Sequence, residues 1–485
     1  MPSVADENSY LANFKKEEAS ALALLRKESL DLFNRLHSIA EDIKFVEHVR
    51  NAYSDLPILP NLRCGAWYVD PQYVKNAAYF KSTDGHTNNW SFNLRRPNLH
   101  LLSVVQQHGG FLLVDSTRAG KRMPDALSKT VPVWCAVLNR AIKKLYNKSD
   151  EWNTKLYCPP GVVSAQEHHR IESKLDEWTE SLLGSSYNLP ELARPLRPIW
   201  ITPSTSTFTV FLTGEDRKFA PVVCVSASKQ IHEGLERRMN GFSYVQGSGD
   251  DHELWGEGLT PDIFWDHKDQ LLSADRSKLS GLVEELVNSN TRKIHQDWIN
   301  LPTAISKVGG RLLISSVTDI PESLPAHLPH SERKLSYVLI SDKFLSTDSD
   351  EEEENVKRTK RKDILKLKIA EGKKGQTDFL HTVLPQSIPF IQTQLEGGSE
   401  VCICCHNGKD ASVGVGLAAL QKFFDDDGRY IADKAQQEKQ VSDADKKSIS
   451  TRLQWIISSR PQANPARVTL KRVNEFLLTS ATLRR

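Results

Sequence analysis

The hydrophobic positions near the N-terminus recur at the spacing of an α-helix. Leu32, Leu36, Ile39 and Ile43 follow one another at such intervals, so residues from about 9 to 48 are predicted to form one or two amphipathic helices. A helix with its apolar side chains on one face buries that face against a core. This segment is therefore assigned to packing.

Further along the chain, short apolar runs alternate with Gly, Pro, Asn and Asp. The runs GAWYV, WSFNL and GGFLLVD, between residues 62 and 115, predict strands, and PVVCVSA at 221–227 predicts another, buried one. A helix is expected to begin after Ser164, because Glu167 stands three residues later and would complete a capping box. Strands and helices in this mixture predict an α/β fold.

A second set of strands and helices is predicted beyond residue 300. GGRLLISS and KLSYVLISD predict strands, and the closing WIISSRPQANPARVTLKRVNEFLL predicts two helices. Between them, STDSDEEEENVKRTKRK has the composition of a disordered charged loop, predicted over residues 346–375. Because 485 residues are too many for one ordinary core, two domains are expected, at residues 1–300 and 301–485.

Composition restricts the compartment more than the function. The net charge is only +2, from 63 basic and 61 acidic side chains. The seven cysteines form no disulfide framework and fit a reducing compartment. No run approaches the ~18 apolar residues of a membrane span. We therefore expect a protein of the cytoplasm or the nucleus, with no membrane partner and no evident stable protein partner.

A cluster of cations follows one of the predicted strands, in GGFLLVDSTRAGKRMPDALSK at residues 109–129. The strand delivers Asp115 to a loop that carries Arg118, Lys121 and Arg122 around Gly120. Guanidinium and ammonium groups around a flexible glycine are suited to binding phosphate. The alternative is an exposed basic loop without a ligand.

Two adjacent acids lie in FSYVQGSGDDHELWGEGLTP, residues 242–261. Asp250 and Asp251 stand beside glycines, and carboxylate oxygens are the ligands that Mg²⁺ prefers. A capped turn would use the same two residues. A third stretch, STDGHTNNWSFNLRRPNLHLL, supplies His86 as a candidate general base or a structural histidine, and Arg95 and Arg96 as candidate RNA contacts.

The stretch CICCHNGKDASVGVGLAALQKFF has most of the pattern of a cysteine-phosphatase loop. Five residues separate Cys405 from Ala411, which occupies the arginine position of that pattern. Without a guanidinium to stabilise the transferring phosphoryl group, we expect no phosphatase activity but a surviving anion site. The residues assigned to that site are Gly408, Lys409, Asp410 and Ser412. A redox or zinc role for the Cys402–Cys405 spacing is a weaker alternative.

Long stretches of the chain resemble the fungal and plant initiator tRNA 2′-O-ribosyl phosphate transferases. They extend from about residue 60 to residue 478 and read STDGHTNNWSFNLRR, VDSTRAGKRMPDALSKTVPVWCAVLNRA, YVQGSGDDHELWGEGLTP, NGKDASVGVGLAAL and PQANPARVTLKRVNEFL. The resemblance implies an N-terminal domain peculiar to that family and a C-terminal domain with a dual-specificity-phosphatase-like α/β fold.

The resemblance also implies a reaction. A 5-phosphoribosyl group would pass from phosphoribosyl pyrophosphate to the 2′-hydroxyl of a T-stem adenosine in initiator methionine tRNA, which keeps that tRNA out of elongation. Mg²⁺ is the expected cofactor, held by Asp250 and Asp251. His86 and Asp115 join those two acids as catalytic candidates. The alternatives are a noncatalytic RNA-binding protein and a phosphatase that uses Cys405.

Overall fold

A computed structural model describes residues 19–20, 22–118, 120–208, 217–231, 236–291, 298–342, 361–370, 372 and 374–479. The described residues fall into two compact units. Unit 1 comprises those within 1–93, 97–183 and 189–293, and unit 2 comprises those within 94–96, 184–188 and 294–485. The domain limits predicted from the sequence, 1–300 and 301–485, stay a prediction. None of the helices in the described ranges is both long and apolar enough to cross a membrane.

Unit 1 is built on a parallel sheet in the order β1-β2-β4-β3. Its strands are β1 Ile58–Pro60, β2 Phe111–Asp115, β3 Leu196–Ile201 and β4 Ala220–Ser226. Every residue of β1, β2 and β4 is buried. Runs that are apolar throughout are typical of parallel strands covered on both faces. The predicted strands GGFLLVD and PVVCVSA are thereby confirmed.

Helices and one small ladder surround this sheet. The helices are α1 Leu32–Ala52, α2 Leu62–Gly65, α3 His100–His108, α4 Val131–Leu145, α5 Ala165–Glu172, α6 Leu175–Leu183, α7 Pro261–Asp266, α8 Lys268–Ser273 and α9 Arg276–Thr291. A π-helical turn, Ala126–Thr130, leads into α4. The two-residue strands β5 Glu236–Arg237 and β6 Ser243–Tyr244 pair antiparallel. Ser164 caps α5 as predicted, accepting the Glu167 amide at 3.1 Å. The return bond from the Glu167 side chain that would complete the predicted capping box is not formed.

The core on one face of the sheet contains the apolar face of α1. Leu36, Ile39 and Ile43 are at most 3% exposed and belong to the same buried cluster as Leu112 and Val223 of the sheet. The spacing of these α1 side chains is the helical spacing seen in the sequence. The predicted helix is therefore confirmed over Leu32–Ala52, and residues 9–18 of the prediction lie outside the described residues.

Two predicted strands, GAWYV and WSFNL, are wrong. In the first, the Tyr68 amide donates to Gly65 O at 3.0 Å within a turn. In the second, the Ser91 amide donates to Asp84 O at 2.9 Å. Both runs satisfy these amides locally, and their aromatic residues are buried without a ladder: Trp67 is fully buried and Trp90 is 6% exposed.

Unit 2 has a five-stranded sheet in the order β10-β9-β11-β8-β7. Its strands are β7 Thr303–Ala304, β8 Leu312–Ser316, β9 Leu335–Ser341, β10 Ile364–Lys368 and β11 Glu400–Cys405. All neighbours are parallel except β7, which is antiparallel to β8. The helices are α10 Gln376–Asp378, α11 Leu384–Glu396, α12 Ala411–Phe423, α13 Lys434–Ser442, α14 Lys446–Ser459 and α15 Arg467–Leu478.

The disordered loop predicted over residues 346–375 needs correction at its C-terminal end. Residues 364–368 form β10, which pairs with β9 along its whole length. Leu367 alternates with lysines in ILKLK and is only 5% exposed, so burial of an apolar side chain and a complete ladder stabilise this strand. Residues 343–360, the remainder of the charged run, lie outside the described residues.

Candidate active site

A cavity of about 450 Å³ opens in unit 1 at the carboxyl ends of β1 and β2. Open parallel sheets bind ligands at this edge, where the loops after the strands converge. Six side chains predicted from sequence line it together: His86, Asp115, Arg118, Lys121, Asp250 and Asp251. Arg122 is exposed and is not among the lining residues; its Nη1 lies 3.8 Å from the place of a Cβ on Gly161.

Asp115, the last residue of β2, has both carboxylate oxygens held. Asn61 Nδ2 donates to Oδ2 at 2.7 Å, and the Ser116 amide donates to Oδ1 at 2.9 Å. Asn61 is itself fixed, because its side chain exchanges two 2.9 Å hydrogen bonds with the backbone of Phe80. Burial, with a smaller contribution from the charge of Asp250, raises the pKa of Asp115 to about 7. A carboxyl group with that pKa can take up a proton at neutral pH.

Asp250 and Asp251 are brought to the cavity by the turn that follows β6. Gly247 makes this turn possible: its φ is +70°, and a Cβ there would lie 2.5 Å from the backbone of Thr117. Arg35 of α1 donates to Ser248 O, in this turn, at 3.1 Å. The glycine therefore lets the loop with the acids pack directly against the loop with the cations.

The cationic wall of the cavity is organised around Asp125, a lining residue that was not predicted from the sequence. Lys121 Nζ lies 2.6 Å from its Oδ2, Lys129 Nζ lies 3.0 Å from its Oδ1, and His86 Nε2 lies 3.8 Å from its Oδ2. Burial acts to raise the pKa of Asp125, but Lys121 and Lys129 outweigh it and lower that pKa below its usual value. Asp125 thus positions Lys121 and His86 at the cavity.

Glu167 holds the other side of the same wall. Its Oε1 accepts from Lys129 Nζ at 3.1 Å, from Trp90 Nε1 at 3.0 Å and from Thr87 Oγ1 at 3.1 Å. Lys129 is only 8% exposed, so it joins Asp125 and Glu167 as a buried ion bridge. The loop that carries His86 is anchored through this bridge.

In unit 2, the loop between β11 and α12 uses several of its polar groups internally. The Lys409 amide donates to Asn407 Oδ1 at 2.9 Å, and the Gly408 amide donates to Cys405 O at 3.2 Å. Asp410 Oδ1 accepts the Ala466 amide at 2.9 Å. Ser412 Oγ lies 3.1 Å from Cys405 Sγ.

The arginine position of this loop is taken by Ala411, the first residue of α12. A different arginine, Arg460, approaches from the end of α14 and donates to Gly408 O at 2.8 Å and to Thr303 Oγ1 at 2.7 Å. Its guanidinium therefore binds a backbone carbonyl of the loop and is not in the position of the phosphatase arginine. Of the residues predicted to bind an anion, Gly408, Lys409 and Asp410 lie in this loop and Ser412 lies in the first turn of α12. Their ligand stays a prediction.

Both units match domains of a single known family. Residues 25–288 match the model described as "Rit1 N-terminal domain", and residues 363–477 match "Rit1 DUSP-like domain". The tRNA A64-2′-O-ribosylphosphate transferase of Saccharomyces cerevisiae is 33% identical to this chain over 515 aligned residues, which cover 98% of this chain and 97% of that protein. The chain belongs to the Rit1 family.

Further similar proteins include a second fungal relative and two solved phosphatase structures. An uncharacterized protein of Schizosaccharomyces pombe is 33% identical, covering 93% of this chain and 95% of its own. The phosphatase domain of Yvh1 from Chaetomium thermophilum is 18% identical with a TM-score of 0.23, covering 34% of this chain and 89% of that one. Human DUSP28 is 13% identical with a TM-score of 0.22, covering 34% of this chain and 88% of that one. The family match identifies the α/β unit 2 as the DUSP-like domain.

A row of polar residues on α1, not predicted from the sequence, supports the loops around the cavity of unit 1. Asn34, Ser38 and Asp42 stand one helical turn apart and are at most 3% exposed. Asn34 Oδ1 accepts the Ser243 amide at 3.0 Å, and Ser38 Oγ accepts the Val245 amide at 2.9 Å. The signal was present as polar residues at i, i+4 and i+8 within an apolar face.

The two predicted RNA contacts, Arg95 and Arg96, belong to unit 2. Arg95 donates to Pro465 O, and Arg96 Nη1 lies 3.5 Å from Asn464 Oδ1. The Asn464 amide in turn donates to Lys409 O at 3.0 Å. Both arginines thus support the segment behind the β11–α12 loop, and contact with RNA stays a prediction.

Proposed function

We propose that this protein transfers a 5-phosphoribosyl group from phosphoribosyl pyrophosphate to the 2′-hydroxyl of a T-stem adenosine in initiator methionine tRNA. The observation that carries the proposal is the strand-end cavity of unit 1, which places acids and cations together in a chain of the Rit1 family. The yeast relative named for 2′-O-ribosylphosphate transfer to tRNA supports the same reaction. The product would be a tRNA withheld from elongation.

The cations of the cavity would hold the pyrophosphate of the phosphoribosyl donor. Arg118 is exposed at the cavity, and Lys121 is held there by Asp125. A charge-assisted hydrogen bond to phosphate contributes about 1.5–3 kcal/mol. Lys121 can share its three N–H donors between Asp125 and a phosphate oxygen. The pair therefore both binds the donor and offsets the charge that develops on the leaving pyrophosphate.

Asp250 and Asp251 are the residues that would hold Mg²⁺. No group of three or more His, Cys, Asp or Glu side chains that could hold a metal occurs within the described residues. Two carboxylates still suit this ion, because Mg²⁺ at phosphoryl substrates takes one or two carboxylates and completes its shell with water and phosphate oxygens. When bound, it would neutralise the pyrophosphate leaving group.

Asp115 is the residue best placed to remove the proton of the attacking 2′-hydroxyl. It lines the cavity, its oxygens are fixed by Asn61 and the Ser116 amide, and its pKa is raised to about 7. In the reaction, the proton of the tRNA 2′-hydroxyl passes to Asp115. The 2′-oxygen bonds to the anomeric carbon of the donor ribose, and the bond from that carbon to pyrophosphate breaks. His86 is a second candidate, but its side chain is 51% exposed.

The acceptor is accessible to such a cavity without opening of the tRNA stem. Helical RNA displays its 2′-hydroxyls in a wide, shallow minor groove. An enzyme can therefore reach one ribose by recognising shape and backbone, with few contacts to base edges.

The direct test is an incubation of the full chain with initiator methionine tRNA, phosphoribosyl pyrophosphate and Mg²⁺, followed by mass analysis of nuclease fragments. We expect one T-stem nucleotide to gain a ribosyl phosphate. Elongator methionine tRNA serves as the matched acceptor. Binding of tRNA without a mass increase would favour the noncatalytic alternative, and phosphate release from a phosphatase substrate, abolished by Cys405→Ser, would favour the phosphatase.

A further inference from the structure

A chain of buried hydroxyl groups leads from α1 to the cavity. Ser228 Oγ lies 2.6 Å from Asp42 Oδ2 and 2.6 Å from Ser116 Oγ. Ser116 lines the cavity. Ser228 also contacts the turn that leads to Asp250, because the Gly247 amide donates to its Oγ. The loops after β2, after β4 and after β6 are therefore connected through one carboxyl group.

A second branch starts from the other oxygen of Asp42. The Tyr244 hydroxyl donates to Oδ1 at 2.7 Å and accepts the Lys229 amide at 2.8 Å. Ser228 Oγ also accepts the Gly247 amide, at 3.2 Å. One of the two lone pairs of Ser228 is thus occupied by Gly247. Its remaining lone pair and its single proton are shared between Asp42 and Ser116, so the direction of one hydrogen bond fixes that of the other.

Asp42 has no ion-pair partner among the described residues. Its ionisable neighbours there include Glu41, Tyr68 and Tyr244. Nearby cations are bound to other partners: Arg238 forms two hydrogen bonds to Glu41, at 2.8 and 2.7 Å, and Lys229 Nζ lies 3.1 Å from Glu236.

Burying an ionised carboxylate that has hydroxyl partners but no paired cation costs free energy, so the carboxyl group keeps its proton. In agreement, burial raises the pKa of Asp42 to about 8. A neutral carboxylic acid offers one donor and one acceptor. That matches Ser228 on one oxygen and the Tyr244 hydroxyl on the other.

We propose that Asp42 is a positioning residue that works as a neutral acid: its proton directs a row of hydrogen bonds from Asp42 to Ser228 and Ser116. Together with the bond from Gly247 to Ser228, this row holds the loops of Ser116 and Gly247 against each other at the cavity. Loss of the proton reverses the bond between Ser228 and Ser116, so that Ser116 donates its proton to Ser228. The inference rests on the proposed function, because its main readout is ribosyl phosphate transfer.

The test is the pH profile of transfer by Asp42→Asn, whose amide reproduces the donor and acceptor of a neutral acid. We expect the wild-type kcat to fall above about pH 8, by up to about tenfold per pH unit. Asp42→Asn should keep a kcat close to that of the wild type at pH 7 and lose this alkaline fall. Glu41→Gln, the neighbouring control, should keep it. Ser228→Ala should lower kcat at every pH, with the KM for tRNA unchanged.

Three outcomes would overturn the inference. They are an Asp42→Asn variant that is folded but inactive at every pH, one that keeps the alkaline fall, and one that does not fold, since an amide satisfies the same hydrogen bonds.

A measurement that does not depend on activity separates the inference about Asp42 from the proposed function. The free energy of unfolding should fall with rising pH between about 4 and 8, less steeply in Asp42→Asn. A wild-type protein without transfer activity would refute the proposed function and leave this readout intact.

Discussion

Substitution of Gly247 by alanine tests whether the two loops of the cavity are held at the distance that the structure shows. The φ of Gly247 is +70°, where a residue with a Cβ is less stable by about 1–2 kcal/mol. The new Cβ would also lie 2.5 Å from Thr117 C and O and 2.7 Å from Arg118 N. These are backbone atoms, which cannot rotate away as a side-chain end can.

The magnitude of the effect follows from that clash. Relief requires the two loops to separate by about 1 Å, and a misplacement of that size at reacting groups costs about 10²-fold in rate. Overpacking adds about 1–3 kcal/mol of destabilisation to the conformational term. We therefore expect Gly247→Ala to unfold at lower urea concentration and to lose about two orders of magnitude in kcat/KM for transfer.

Gly241→Ala provides the matched control. Its φ is +82°, yet a Cβ there would meet nothing within 4 Å. This variant carries the same conformational cost without the clash, so it should lose about 1–2 kcal/mol of stability and little activity. If the two variants were equally stable and equally active, the close contact between the loop of Gly247 and the loop of Arg118 would not exist as described.

Other variants test individual side chains. Asp115→Asn should abolish most transfer. It should also flatten the decrease in unfolding free energy between about pH 4 and 7, where the folded wild type keeps a proton that the unfolded chain has lost; an active variant would remove Asp115 as the base. Asp250→Asn and Asp251→Asn should each lower turnover, and at least one should raise the Mg²⁺ concentration for half-maximal rate; wild-type rates at limiting Mg²⁺ would assign the pair to a structural turn. Cys405→Ser should transfer at the wild-type rate, whereas loss of transfer by a folded variant would show that the thiol takes part in the reaction.

The cavity could be predicted in part because its chemistry is local in sequence. Asp115 ends an apolar strand run and Arg118 and Lys121 follow it, and Asp250 and Asp251 come directly after the segment GSG. Each stretch is recognisable from its own composition. The parallel sheet then brings them to one edge, a relation that depends on strand order and is absent from any single stretch.

The residues that support the cavity could not be found in this way. Asp125, Lys129 and Glu167 look like ordinary surface charges, since a charged residue is mostly exposed unless a partner reaches it through the fold. One of the partners of Glu167 is Trp90, 77 residues away. Likewise, a polar residue such as Asp42 in an amphipathic helix is usually solvated. Here it is buried because Ser228, in the loop after β4, and Tyr244, in β6, form hydrogen bonds with it.

The aromatic runs misled the prediction for a related reason. Aromatic and β-branched residues favour strands because they fill a half-buried pleated surface, and the same side chains fill a core from a turn. Trp67 and Tyr68 do so from the turn after α2, where both are at most 1% exposed. Burial is therefore what the pattern indicates, and the backbone conformation is decided by which hydrogen-bond partners are near.

The central claim is that the cavity of unit 1 holds the phosphoribosyl donor. It is tested most directly by calorimetric titration of the full chain with phosphoribosyl pyrophosphate and Mg²⁺, comparing Arg118→Ala with Lys409→Ala, the equivalent charge removal in the phosphatase-like loop. We expect Arg118→Ala to weaken donor binding by about tenfold or more, the loss of one charge-assisted hydrogen bond, and Lys409→Ala to leave it unchanged. Binding that survives Arg118→Ala and is lost in Lys409→Ala would place the donor in unit 2 and contradict the account.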